Sequence, residues 1–218
     1  MSWVMFDFGG VISTPQPEAD VAAMAAVAGV TVPELRSGYW PLRPTYDGGT
    51  LSARDYWDTI ASQLGTSLSD AQVAELSRLD IASWSHLHPG TLRLIDDLEA
   101  AGVRLALLSN APDDMARVIE SLPVAQHFEH LLFSCDLGAA KPGEACFHRA
   151  LDRLGAPAAE VTFVDDRADN VAAAARLGMC AVHFTDVEKA RAGIFTAQAR
   201  LSGVWLLLHK AGCRLNVG

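Results

Sequence analysis

The 218-residue chain is poor in the features that mark secreted, membrane-spanning and nucleic-acid-binding proteins. It has only four cysteines, none in a CxxC pair, and 17 Lys and Arg residues against 26 Asp and Glu, a formal net charge of −9. The sparse cysteines predict free thiols rather than a disulfide framework. The acidic balance argues against nucleic-acid and membrane-surface partners. No apolar run reaches the roughly 18 residues that a membrane span needs.

The first residues do not resemble a signal peptide. No basic segment precedes the Asp at position 7, and the apolar stretch before it is short. With the free thiols, this predicts a cytoplasmic protein. Half of the residues are apolar and a fifth are charged, which is typical of one large globular domain or of one domain with an insert.

Short apolar runs alternate with helical patterns along most of the chain. Five runs read as strands: 3–8, 104–109, 131–134, 161–164 and 180–184. Helical patterns follow the second, third and fourth runs, and this alternation predicts a parallel sheet with right-handed crossovers. Because the runs are continuously apolar, both faces of the sheet should be covered. We therefore expect an α/β fold, a doubly wound (Rossmann-like) parallel sheet.

About ninety residues separate the first two strands, far more than a crossover needs. Helices are predicted there over 17–27, 33–37, 52–64, 69–79 and 91–101. We expect residues 15–88 to form an inserted helical subdomain, and residues 1–14 and 89–218 to form the core. Residues 203–218 are harder to place. Their apolar segment, 204–208, suits either a strand at the sheet edge or a contact between copies of a homo-oligomer, and the sequence leaves both open.

Polar residues follow the predicted strands at the edge where parallel sheets bind ligands. In chain order they are Asp7, Ser109 and Asn110, Lys141, then Asp165 and Asp166 with Asn170 just beyond. Three carboxylates at one edge are costly unless they are neutralised, and Mg²⁺ prefers such oxygen ligands together with a phosphate. Gly9 and Gly10 would let backbone N–H groups approach an anion closely.

In this order the motifs resemble those of the haloacid dehalogenase superfamily. The matching residues are Asp7-Phe8-Gly9-Gly10-Val11, Ser109-Asn110, Lys141-Pro142, and Asp165-Asp166 with Asn170. Each motif alone is weak, but the ordered set on the predicted strands is specific, and it covers about residues 3–185. The helical insert resembles the small C1-type cap of this superfamily. The Asp-x-Gly-Gly first motif resembles that of phosphatase-like members.

The resemblance implies a phosphohydrolase that acts on a small phosphorylated metabolite. Asp7 would be the nucleophile and would form an aspartyl-phosphate. Mg²⁺ would be held by Asp7, the carbonyl of Gly9 and Asp166. Asp165 would act on the metal through water, and Asn170 would brace the fourth loop or Lys141. The phosphate oxygens would be held by Ser109, Asn110 and Lys141.

Gly9 departs from the pattern of the phosphatases. They usually carry a second Asp two residues after the nucleophile, as the general acid for the leaving group, and such catalysis is worth roughly 10²–10⁴-fold. Three interpretations stay open: a leaving group that needs no proton, a proton donor elsewhere, for example in the cap, or a slow or silent protein. In the cap, Arg43 could pair with Asp47 on the surface or guard the entrance for an anion.

Two other functions remain as alternatives. In 2-haloacid dehalogenases the same Asp attacks carbon and displaces halide without a metal. Those enzymes typically place an aromatic residue at the position of Gly9 and lack the paired acids, so Asp165 and Asp166 favour the metal-dependent reaction. The second alternative is a non-catalytic binding or interaction protein, which Gly9 and the apolar segment 204–208 would suit.

Overall fold

The computed structural model describes residues 2–201, and the apolar segment 204–208 lies outside them. The strands are β1 (Trp3–Phe6), β2 (Arg104–Ser109), β3 (His130–Phe133), β4 (Val161–Asp165) and β5 (Cys180–His183). The helices are α1 (Glu18–Ala28), α2 (Val32–Asp47), α3 (Ala53–Gln63), α4 (Asp70–Ser83), α5 (Pro89–Ala100), α6 (Asp113–Ser121), α7 (Ser134–Leu137), α8 (Glu144–Leu154), α9 (Ala168–Arg176) and α10 (Val187–Leu201). No helix within residues 2–201 is both long and apolar enough to cross a membrane.

The five strands form one parallel sheet in the order β3-β2-β1-β4-β5. The strand order reverses at β1, which lies in the centre, with Phe6 opposite Leu107 of β2 and Val164 of β4. The predicted doubly wound α/β fold is confirmed. All five predicted strands are present, with ends that differ by at most two residues.

Apolar residues cover both faces of the sheet, as the continuous runs predicted. On one face Val4, Phe6 and Leu107 pack with α5, α6 and α10, and on the other Met5 and Phe163 pack with α8 and α9. These strand residues are almost completely inaccessible to solvent. The sheet is therefore a rigid platform for the side chains that follow its strands.

Helices α1–α4, here called the helical insert, share an apolar cluster of their own. Side-chain caps start three of these helices: the side chains of Thr31, Ser52 and Ser69 accept hydrogen bonds from the first-turn backbone of α2, α3 and α4 respectively. Helix α2 is far longer than the predicted segment 33–37, because it continues through Pro41 and Pro44. Proline ordinarily ends a helix, and here tertiary packing overrides that tendency.

Candidate active site

The predicted site residues meet at the carboxyl edge of the sheet, facing the helical insert. A cavity of about 360 Å³ opens between them. Of the predicted residues, those that line it are Asp7, Gly9, Ser109, Asn110, Lys141, Asp166 and Asn170. Asp165 lies beneath them and is completely buried. The structure thus brings all of them together at one edge.

Lys141 is the centre of the charged network. Its Nζ lies 2.7 Å from Oδ1 of Asp7 and 2.8 Å from Oδ2 of Asp165, and all three side chains are buried. Burial alone would lower the pKa of the Lys141 ammonium, but the carboxylates of Asp7 and Asp165 raise it above its ordinary value. Lys141 therefore stays charged between its two partners.

Asp7 follows β1, and its Oδ1 also accepts a hydrogen bond from the N–H of Phe8 at 2.7 Å. Burial raises the pKa of Asp7 well above its usual value; Lys141 opposes this shift, and Asp165 and Asp166 add to it. The carboxyl group of Asp7 faces the cavity. An added cation would favour the ionised form that a nucleophile requires.

Asp165 is saturated with hydrogen bonds from the protein. Besides Lys141, it accepts from the backbone N–H of Arg167 at 2.8 Å and from Nδ2 of Asn170 at 3.0 Å to each carboxylate oxygen. Asn170 therefore contacts Asp165, one of the two ways in which it was expected to brace the site. Its own Oδ1 is buried without a partner among the described residues.

Asn110 holds the backbone of Lys141. Its Oδ1 accepts from the Lys141 N–H and its Nδ2 donates to the Lys141 carbonyl, both at 2.9 Å. Asn110 therefore positions Lys141 through one of its two Nδ2 hydrogens and through Oδ1. Direct contact of Asn110 with phosphate stays a prediction. The hydroxyl of Ser109, at the end of β2, lies at the cavity wall and forms no hydrogen bond to any described residue.

The acids at this edge fit a hard divalent cation. Carboxylate oxygens of Asp7, Asp165 and Asp166 all lie within 4.8 Å of one another, and three carboxylates against one ammonium leave two negative charges unbalanced. Burial and the charge of Asp165 raise the pKa of Asp166. Gly10 adopts a φ of +73°, and a Cβ there would lie only 2.5 Å from Oδ2 of Asp166, so the close approach requires glycine.

Trp84 occupies the space beside Gly9 where a side chain would otherwise stand. A Cβ built on Gly9 would lie 3.3 Å from its ring, and its Nε1 donates to the hydroxyl of Tyr39 at 3.1 Å. An aromatic ring therefore fills the space that a side chain at position 9 would enter. The contact of Trp84 with Gly9 could not be predicted from the sequence, because the two residues lie some 75 positions apart in the chain.

A buried charged cluster from the helical insert forms the opposite wall. Nε of Arg43 lies 2.7 Å from Oδ1 of Asp47, and its Nη1 lies 2.7 Å from Oδ2 of Asp80. Arg43 and Asp47 line the cavity, whereas Asp80 lies behind them. The predicted pairing of Arg43 with Asp47 is present, and it is buried rather than on the surface.

The rest of the cavity lining is mostly apolar. Its apolar members are Phe8, Pro15, Trp40, Pro44, Trp84, Ala111, Met115, Ile119 and Pro142. Trp40 is 46% exposed, an unusual state for so large an apolar side chain, and contacts Trp84 edge to face with ring centroids 6.3 Å apart. One end of the cavity is thus charged and the other is apolar.

The fold and this acidic edge define an α/β enzyme. Residues 1–178 match the sequence profile of the haloacid dehalogenase-like hydrolases, and the chain belongs to that family. A sesquiterpene phosphatase of Aspergillus oryzae is 27% identical over 190 residues, covering 84% of this chain and 89% of the relative.

Two solved structures show the same fold. A haloacid dehalogenase family enzyme of Bacteroides thetaiotaomicron in a magnesium complex gives a TM-score of 0.66 at 21% identity, covering 82% of this chain and 90% of the other. An L-2-haloacid dehalogenase of Xanthobacter autotrophicus gives 0.64 at 16% identity, covering 83% and 76%. At these identities the likeness establishes the fold alone.

Proposed function

We propose that the protein is a magnesium-dependent phosphohydrolase in which Asp7 is the nucleophile. The observation that carries the proposal is the position of Asp7: a buried carboxylate that faces the cavity, held by Lys141 and within reach of Asp166. Asp7 would attack phosphorus and form an aspartyl-phosphate, which water then hydrolyses. Lys141 and the free hydroxyl of Ser109 would bind the phosphate oxygens and offset their developing charge.

Magnesium is the cation that suits these ligands. Asp7, Asp166 and the carbonyl of Gly9, which accepts no hydrogen bond from the described residues, are hard oxygen donors. When bound, the ion would neutralise the phosphate and the two excess negative charges of the site. Asp165, already saturated by Lys141, Asn170 and a backbone N–H, would orient the site without direct contact with the ion.

We further propose that residues 15–88 act as a C1-type cap over a core of residues 1–14 and 89–218, and that the cap selects the substrate. Its contribution to the cavity is largely apolar, and Asp47 and Asp80 already neutralise Arg43. A second phosphate or a carboxylate on the substrate would find no unpaired cation there. The substrate would therefore be a small phosphate monoester of an apolar alcohol, which agrees with the sesquiterpene phosphatase named among the relatives.

The paired acids argue against dehalogenation. A metal-free attack on carbon has no use for Asp166, whose charge makes ionisation of its neighbours harder. Gly9, packed against Trp84, also differs from the aromatic residue that the dehalogenases place at this position. A phosphatase function therefore explains more of the site residues than dehalogenation does.

The test is hydrolysis of 4-nitrophenyl phosphate with Mg²⁺ and with EDTA, by the wild type and by Asp7→Asn. This leaving group needs almost no protonation, so the assay isolates nucleophile and metal. We expect Mg²⁺-dependent turnover that falls at least about 10³-fold in Asp7→Asn, while the circular dichroism spectrum is unchanged. Turnover by Asp7→Asn at the wild-type rate, or turnover that is insensitive to EDTA, would contradict the proposal; a haloacid assay would then test dehalogenation.

A further inference from the structure

The cavity contains one carboxyl group that the proposed mechanism does not use. Three acids line it: Asp7, Asp166 and Asp47. Asp7 is taken as the nucleophile and Asp166 as a metal ligand. Among the described residues the lining includes no histidine, cysteine, tyrosine or glutamate. If the departing alcohol receives its proton from the protein, Asp47 is therefore the remaining source.

Asp47 is held firmly beside the phosphate-binding loop. It ends α2, and its carbonyl accepts a hydrogen bond from the hydroxyl of Ser134. The same hydroxyl accepts from the N–H of Ala111 at 3.0 Å, two residues after Ser109. The backbone of Asp47 is thus joined through one hydroxyl group to the loop that follows β2, and the residue lines the cavity.

Burial favours the protonated form of the Asp47 carboxyl group, and Arg43 only partly offsets this effect. One guanidinium, that of Arg43, serves the two buried carboxylates of Asp47 and Asp80. Asp114 of α6 adds further negative charge nearby. Burial, with Arg43 opposing it and Asp80 and Asp114 adding to it, raises the pKa of Asp47 to about 6. Such a value suits a general acid that works near neutrality.

We propose that Asp47 is the general acid of this enzyme, in place of the residue that Gly9 lacks; the proposal rests on the phosphohydrolase function above. As the bond forms between Asp7 and phosphorus, the bond from phosphorus to the alcohol oxygen breaks. The electron pair stays on that oxygen, which takes the proton of Asp47 and leaves as the alcohol. The Asp47 carboxylate regains a proton from the water that hydrolyses the aspartyl-phosphate, which also regenerates Asp7.

The test compares kcat/KM of the wild type and Asp47→Asn on hexyl phosphate and on 4-nitrophenyl phosphate. This ratio reports the steps up to release of the alcohol, and only the alkyl ester needs a proton at that point. We expect a loss of about 10²–10⁴-fold on hexyl phosphate and a much smaller loss on the aryl ester. On hexyl phosphate, wild-type kcat/KM should fall as pH rises above about 6, and this limb should disappear in Asp47→Asn.

Asp80→Asn tests the same assignment through the pH profile. It removes a carboxylate that raises the pKa of Asp47 and does not line the cavity, so the descending limb on hexyl phosphate should move to lower pH. A general disturbance of the cluster would instead reduce kcat/KM for both esters by similar factors. Equal losses on the two esters in Asp47→Asn, or an unchanged rate on hexyl phosphate, would overturn the assignment. Aryl turnover retained by Asp47→Asn shows that the variant is folded. Absence of aryl turnover in the wild type would instead overturn the phosphohydrolase function itself.

Discussion

Lys141 is an ammonium group held between two carboxylates, with almost none of its surface in contact with solvent. Removing one member of such a group leaves the others charged and buried. The resulting loss in free energy of unfolding exceeds what the ion pair itself contributes to stability. The residue therefore has a role in stability that is separate from any contact with phosphate.

We expect Lys141→Met to lower the free energy of unfolding by about 3–5 kcal/mol, measured by urea denaturation in EDTA at pH 7. The control is Lys189→Met, which removes the exposed pair with Asp186, 2.9 Å apart. Lys189→Met should lower the free energy of unfolding by no more than about 0.5 kcal/mol. A loss below about 1 kcal/mol in Lys141→Met would show that the two carboxylates take up protons at little cost.

At the scale of residues, the sequence predicted which side chains meet but not which bonds they form. Asp7, Ser109 and Asp165 could be located because each stands at the end of an apolar run, and the carboxyl ends of parallel strands share an edge. The hydrogen bonds of the Asn110 amide to the Lys141 backbone could not be predicted, because they depend on the path of a loop. The contact of Trp84 with Gly9 depends on the fold of the whole insert.

At the scale of elements, three helices of the insert begin at a side-chain cap. The hydroxyl of Ser52 accepts a hydrogen bond from the N–H of Asp55 at 3.1 Å. We expect Ser52→Ala to lower the free energy of unfolding by about 1 kcal/mol, measured by thermal and urea denaturation. Ser62, exposed within the same helix, provides the control: Ser62→Ala should be neutral or slightly stabilising. Equal effects of the two substitutions would contradict a specific role for the cap.

Helix α2 was the main element that the sequence did not reveal in full. Pro41 and Pro44 lie inside it and remove backbone donors, so local rules end the prediction near residue 37. The helix persists because its buried side chains, among them Leu35, Tyr39 and Tyr46, pack in the cluster of the insert. The part of the helix that was not predicted matters for function, because it carries Arg43 and Asp47, which line the cavity.

At the scale of the whole molecule, the cavity joins a charged sheet edge to an apolar insert. We expect Trp40→Ala to raise KM for geranyl phosphate about tenfold or more, because burial of so large a side chain against an apolar ligand is worth at least 1.5 kcal/mol. The change in KM for glucose 1-phosphate should be under about twofold. Steady-state kinetics on both esters measure this, and equal changes for the two would refute an apolar substrate.

Phe195 is exposed to a similar extent as Trp40 and offers a control for the loss of a large apolar surface group. It lies 43% exposed on α10 and does not line the cavity. Phe195→Ala should leave both KM values unchanged.

The alternation of strands and helices predicted the sheet, and the resemblance predicted a cap. The individual contacts between the insert and the sheet edge, such as that of Ser134 with Asp47, could not be predicted, because they depend on the fold of the whole chain.

The central position of β1 has a consequence for synthesis of the chain. Its four residues are made long before those of its neighbours β2 and β4, which begin at Arg104 and Val161. At about 5–20 residues per second on the ribosome, the partners of this apolar strand are synthesised roughly 5–30 seconds later. The nascent chain thus depends on delayed, long-range pairing, which favours aggregation, and chaperones that shield this strand should increase the yield of active enzyme.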